Sequence, residues 1–184
     1  MTFDDGPNPE FTLKVLHLLK EYNAKASFFC IGKHVKKYPE LLKRIHSEGH
    51  DIGNHSYTHS NTIDFKSTEG WLMELKDTDQ AIFNVIGVKP TLFRPPFGVT
   101  TPHIAKAVKI TGHQVVGWNI RSFDTTLKNR KTILNRILKQ VKPGSVILLH
   151  DKHEHIEFVL EQLLQFLKKH DYKMVTINDF INET

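Results

Sequence analysis

Two carboxylates stand side by side at Asp4 and Asp5, just ahead of a Gly6-Pro7 turn, and two histidines, His55 and His59, follow four residues apart. Adjacent carboxylates repel, so keeping both ionised calls for a cation; one can then bind a metal while the other serves as a base. Taken alone, the Asp pair is equally an Asp-Gly turn whose carboxyls accept backbone N–H groups. On a helical turn, the spacing of His55 and His59 would put both imidazoles on one face, the arrangement that binds zinc when a third ligand comes from elsewhere. Asp5 is the natural third ligand. Two histidines and one carboxylate with an open position form a catalytic rather than a structural metal pattern. The pair by itself is more ordinarily two solvated loop histidines.

Three further residues have the right types to complete such a site. Arg94 precedes Pro95-Pro96, which stiffen the chain beyond it, and an arginine at a strand end can hold a carboxylate and keep it ionised. His150 follows the apolar run Val146, Ile147, Leu148 and Leu149, where a buried core becomes a surface, and Asp124 is a candidate to orient it. A histidine so placed is more often a satisfied structural group. The single cysteine, Cys30, lies in an apolar run and reads as a small buried hydrophobe rather than a nucleophile.

These residues must be carried by elements that bring them together, and the apolar periodicity supplies such elements. Strands are expected over 1–3, 25–31, 50–53, 90–94, 114–118, 145–149 and 173–177, with 119–125 a loop. Helices are expected through the apolar positions 13–19, with Pro9 where a helix start tolerates it, and near 35–47 (started or kinked by Pro39), 68–86, 102–111, 131–141 and 156–170. Alternation of this kind implies a parallel sheet with helices outside it. The polar clusters follow strands, and in a closed parallel barrel those strand ends meet at one face. Seven strands fall one short of the usual eight, so the fold class expected is α/β, a distorted and incomplete (β/α)7-type barrel; an open doubly wound sheet is the alternative. Only three residues precede the carboxylate pair, fewer than a well-anchored strand, so further residues upstream of the first strand are expected in the natural protein.

Composition narrows the partners. With 184 residues, 39% hydrophobic and 24% charged, the chain suits one domain over 1–184. No run of 18 apolar residues exists, so no membrane-spanning helix is expected, and no signal sequence is visible. The net charge of +5 comes from lysines scattered among acids rather than from a basic tract interleaved with aromatics, which argues against nucleic acid.

Taken together, the motifs resemble those of the NodB-homology polysaccharide deacetylases, carbohydrate esterase family 4. The five motifs that mark this family have counterparts here in order: Thr2-Phe3-Asp4-Asp5-Gly6, His55-Ser56-Tyr57-Thr58-His59, Arg94-Pro95-Pro96-Phe97-Gly98, residues 118–124, and Leu148-Leu149-His150. The resemblance implies a distorted (β/α) barrel, a catalytic domain that removes acyl groups from sugar polymers, and a divalent metal, Zn²⁺ or another such as Co²⁺, Ni²⁺ or Mn²⁺. It assigns Asp5, His55 and His59 to the metal, Asp4 to the base, His150 to the acid, and Arg94 and Asp124 to their support. The backbone N–H of Phe97 would help hold the oxyanion, and Leu148 would line the acetyl pocket. Two departures stand out: Phe97 where tyrosine is common, and Thr125 where the fourth motif usually ends in tryptophan, so that one aromatic wall of the acetyl pocket is either missing or supplied by Trp118. The substrate implied is an N-acetylglucosamine polysaccharide, peptidoglycan or chitin-like. O-deacetylation of xylan or hydrolysis of small amides are alternatives within the family, and an inactive carbohydrate-binding domain is one outside its chemistry. A monomer acting outside the cytoplasm, in the cell envelope or secreted, is expected on the same ground.

Overall fold

A computed structural model describes residues 1–182. Seven strands form one sheet: β1 (Thr2–Asp4), β2 (Ser27–Cys30), β3 (Asp51–Asn54), β4 (Leu92–Phe93), β5 (Gln114–Val115), β6 (Ile120–Arg121) and β7 (Ile147–His150). Their order is β5-β4-β3-β2-β1-β7-β6 and every pairing is parallel. The sheet curls into a half-barrel with β5 and β6 as its unpaired ends. β1 is central, with Asp4 opposite Phe29 of β2 on one side and His150 of β7 on the other.

Alternation along the strands decides what faces inward. Phe3, Phe28, Ile147 and Leu149 point outward into the main core, where they meet Val15, Leu16 and Leu19 of α1 (Phe11–Glu21), Leu42 and Ile45 of α3 (Pro39–Ser47), Ile133 and Ile137 of α6 (Arg130–Leu138), and Leu160, Leu163 and Leu164 of α7 (Ile156–Lys169). A second core joins Phe93 to Trp71 and Leu75 of α4 (Thr68–Ile86) and Ile104 of α5 (Pro102–Thr111). Both of these helices have clear start and stop signals. Ser67 and Thr101 accept the N–H groups of Gly70 and Ile104, and Gly87 and Gly112 end the helices in the left-handed region. The inner face is left to Thr2, Asp4, Phe29, Leu92, Leu148 and His150.

Three expectations are corrected. The helix expected over 35–47 is two, α2 (Gly32–Lys37) and α3, because Pro39 cannot continue a hydrogen-bonded turn and begins a new helix instead. The seventh strand is β6, inside what reads as a loop, and not the segment 173–177. That segment crosses below β2: Lys25 N–H donates to Met174 O, and Ile177 N–H donates to Ser27 Oγ, where α8 (Ile177–Asn182) begins. Finally, His55 and His59 do not share a helical turn, as shown next.

Candidate active site

Chain reversals at the C-terminal ends of the strands build the site. Asp5, Ser56, His59, Phe97 and Phe123 all have positive φ, five of the seven such non-glycine residues among those described. Strained backbone of this kind persists only where its surroundings hold it, and it gathers where side chains must be aimed. The chain leaves β1 through Asp5 (φ 78) and a cis Gly6–Pro7 peptide. Gly6 is packed so closely on the buried Asp151 that a Cβ there would lie 2.5 Å from a carboxylate oxygen.

An open groove enclosing about 520 Å³ is lined by Asp4, Asp5, His55, His59, Phe97, Trp118, Leu148 and His150, together with Gly98, Arg121, Thr125 and Lys152. Arg94 and Asp124 sit behind it, so all ten residues singled out in the sequence converge on one place.

Asp4 is buried, and its Oδ1 accepts from Arg94 Nη1 at 2.8 Å. The arginine is itself fully enclosed, donating also to Thr2 Oγ1, Val116 O and Gly117 O and lying 4.2 Å above the Phe29 ring. Asp5 Oδ1 is 3.6 Å from His55 Nε2 and 3.4 Å from His59 Nε2. His55 Nδ1 meets Arg94 O at 2.7 Å, which makes Nδ1 the protonated nitrogen and leaves the Nε2 lone pair free for a ligand. Burial and the neighbouring His55 hold the His59 imidazole below its ordinary pKa. Burial alone would raise the Asp5 carboxyl, but His55, Lys152 and His150 outweigh it and hold that group well below the usual carboxylate range.

These three ligand atoms lie within 4.8 Å of one another. Asp5 Oδ1 is buried without a hydrogen-bond partner, although an unpaired buried carboxylate oxygen is costly. The donor set of two imidazole nitrogens and one carboxylate oxygen, facing an open groove, suits a divalent metal with a vacant position.

Across the groove, His150 Nδ1 pairs with Asp124 Oδ1 at 2.8 Å, and Asp124 Oδ2 accepts the His150 N–H. Ser122 Oγ secures the same carboxylate at 2.8 Å. Burial pushes the His150 pKa down, but the hydrogen bond and charge of Asp124, aided by Asp4 and Asp5, win and raise it. Trp118 packs on Gly98 so tightly that a Cβ on the glycine would lie 2.3 Å from the indole, and it stands as an aromatic wall beside Thr125. The Phe97 ring meets His59 edge-on at 4.8 Å. Cys30 is buried, as its apolar setting implies.

The helical reading of the two histidines is overturned by Ser56 and His59, whose φ values of 64° and 48° no α-helix contains. The nitrogens meet because an irregular turn folds back, with Ser56 Oγ accepting the His59 N–H. Sequence reasoning also missed Lys152, whose ammonium pairs with Asp5 Oδ2, Asp151, whose carboxylate takes the Thr12 hydroxyl, and Glu74. Glu74 did carry a signal: it shares the buried stripe of α4 with Trp71, Leu75 and Thr78. Lys152 carried none, since only the curl of the chain after β7 brings it back to Asp5.

Fold and site together define a parallel half-barrel protein with a prospective metal centre beside a carboxylate–histidine pair. Comparison with known proteins makes this specific. The family described as polysaccharide deacetylase matches residues 1–116. The chain is 35% identical over 178 residues to the peptidoglycan-N-acetylmuramic acid deacetylase PdaC of Bacillus subtilis, covering 97% of this chain and 37% of PdaC. It is 36% identical over 189 residues to a peptidoglycan-N-acetylglucosamine deacetylase of Bacillus cereus, covering 98% of this chain and 86% of that protein. The solved PdaC structure superposes with a TM-score of 0.92 at 34% identity, over 98% of this chain and 88% of that one. A carbohydrate esterase family 4 pseudoenzyme of Bacillus anthracis superposes at 0.89 and 26% identity, over 97% of this chain and 63% of that one. The chain belongs to the polysaccharide deacetylase family. It spans less than two fifths of the length of PdaC.

Proposed function

We propose that this chain is a metal-dependent hydrolase that removes N-acetyl groups from N-acetylglucosamine units of a peptidoglycan- or chitin-like polysaccharide. The observation that carries the reading is the buried, unpartnered Asp5 Oδ1 facing two histidine nitrogens, beside a second carboxylate and opposite an Asp-supported histidine. The relatives that act on peptidoglycan amide groups support the substrate class.

Asp5, His55 and His59 would hold Zn²⁺, or another divalent ion such as Co²⁺, Ni²⁺ or Mn²⁺. When bound, the ion supplies Lewis acidity toward the amide carbonyl and lowers the pKa of a coordinated water. Asp4, with Oδ1 committed to Arg94, presents Oδ2 to the groove and takes the proton of the attacking water. The backbone N–H of Phe97, set on its turn at φ 58, helps hold the developing oxyanion. Leu148 and Trp118 form apolar walls for the acetyl methyl group. His150, its Nδ1 bound to Asp124, donates from Nε2 to the leaving amine so that the sugar departs neutral.

The raised His150 pKa has a consequence for rate. The acid must be protonated, so kcat holds below its folded pKa and falls as pH rises through it. That limb lies above the ordinary histidine value of about 6.5. Asp124→Asn removes the charge that holds the proton and moves the limb to lower pH, which a pH–rate profile of both proteins measures. An unmoved limb would take the acid role away from His150.

The test of the whole reading is acetate release from N-acetylglucosamine oligomers and from acetylated xylan, with and without a chelator. Release from the amino-sugar oligomers, lost on chelation and restored by zinc, is expected. Glycan binding with no acetate from either substrate after zinc is restored would leave a binding domain instead.

A further inference from the structure

We infer that Glu74, on α4 and outside every motif, is a positioning residue that sets the spacing of His55 and His59 and with it the metal affinity of the site. The inference rests on the metal reading given above. Between the two histidines the chain forms no regular element, and its backbone groups are held from outside. The Ser56 N–H goes to Asn54 Oδ1 at 2.9 Å, and the carbonyls of Ser56, Tyr57 and Thr58 accept from Gly32 N–H, Lys33 N–H and Lys33 Nζ. The central N–H groups, of Tyr57 and Thr58, converge on one atom: both donate to Glu74 Oε2 at 2.8 Å. Glu74 Oε1 takes the Thr58 hydroxyl at 2.8 Å and lies 3.3 Å from Lys66 Nζ.

Two consecutive N–H groups aimed at one carboxylate oxygen make a charge-assisted brace, and Glu74 is only 4% exposed. Little water reaches this point to take over if the carboxylate is withdrawn, and the turn must then relax to satisfy its own amides. The two ligands respond differently. His55 is fixed independently, through Nδ1 to Arg94 O and its N–H to Cys30 O. His59 sits at the far end of the turn, where, among the described residues, its backbone is tied only locally, to Ser56 Oγ. Loosening the brace therefore displaces His59 Nε2 relative to Asp5 Oδ1, now 3.4 Å away. An acidic residue in the buried stripe of α4, beside Trp71 and Leu75, has this brace as its physical rationale.

The test is zinc affinity by chelator competition, at a temperature well below each variant's unfolding midpoint, with the Co²⁺ absorption spectrum as a second readout. Glu74→Leu should weaken zinc binding about 10- to 100-fold, the usual scale for losing a group that supports a ligand. Glu74→Asp keeps charge and burial but withdraws the carboxylate by one methylene, and should weaken zinc in the same direction with an altered Co²⁺ spectrum. Glu74→Gln can offer its carbonyl oxygen to both N–H groups and its NH₂ to Thr58 Oγ1, and should keep most of the affinity. If the leucine variant does not fold, the Asp and Gln pair decides. Wild-type zinc affinity in folded Glu74→Asp, with only the unfolding midpoint lowered, overturns the inference and makes Glu74 a stability residue. A wild-type protein that takes up neither zinc nor cobalt removes the metal reading itself and this inference with it, a result distinct from equal affinities across the series.

Discussion

Asp4→Asn is expected to cut acetate release by about 10²- to 10⁴-fold while zinc still binds, the scale on which a positioned proton acceptor contributes. Asparagine keeps the size of the side chain and an oxygen that can accept from Arg94 Nη1, so the geometry at 2.8 Å survives. What disappears is the ability to take a proton. The proposed ligands are on other residues, and the Asp5 Oδ1 contacts with His55 and His59 do not pass through Asp4. Zinc affinity is thus the control: a variant that loses both activity and zinc would place Asp4 among the ligands. A fully active variant would assign the base to another group. The same substitution leaves the enclosed Arg94 without its counter-charge, so the unfolding midpoint should fall as well, and activity is compared at a temperature where both proteins are folded.

Why some of this was legible in the sequence and some was not follows from how local each signal is. Helices α4 and α5 have capping residues, an apolar stripe and a terminal glycine within their own segments, and their limits coincide with the expected 68–86 and 102–111. The motif residues were legible because strand ends converge in any parallel barrel, whichever side chains they carry. Failures came where long-range contact decides. Residues 173–177 have a strand-like composition, but the neighbouring ladder positions are taken by β1 and β3, so the segment caps β2 instead. Residues 120 and 121 are too few for a periodicity, and only pairing with Ile147 and Leu148 makes them a strand. The His55 turn misled because a four-residue spacing suits a helix and an irregular loop alike; the backbone groups of the turn, in which Ser56 and His59 have positive φ, are held by Asn54, Lys33 and Glu74, the last two at least 15 residues from either histidine. Lys152 and Asp151 reach Asp5 and Thr12 across 147 and 139 residues of chain, a distance over which single-sequence reasoning carries no contact information.

The second large effect is on stability, at Arg94. Its guanidinium is fully enclosed and makes four directed hydrogen bonds, at 3.0 Å to Val116 O, 2.7 Å to Thr2 Oγ1, 2.8 Å to Asp4 Oδ1 and 2.9 Å to Gly117 O. It therefore ties the chain just after β4 to the chain just after β5 and to β1, doing inside the half-barrel what closure would do in a complete one. Arg94→Met fills much of the volume and can still pack on Phe29, but it leaves Asp4 buried without a counter-charge and two carbonyls without donors. Breaking a buried pair from one side costs about 3–5 kcal/mol, which for a chain of this size lowers the unfolding midpoint by roughly 6–20 °C. Most of that cost is the stranded carboxylate, not the lost attraction. The double variant Arg94→Met with Asp4→Asn removes the stranded charge and should be less destabilised than the two single changes summed. Arg94→Lys should fall between, because one ammonium cannot reproduce a planar fork that reaches four acceptors. Urea unfolding of the wild type and the four variants, the Asp4→Asn single change included, measures all of this. A loss under about 1 kcal/mol for Arg94→Met would put the pair on the scale of an exposed ion pair and contradict its burial, and strict additivity in the double variant would mean that the two charges do not depend on one another.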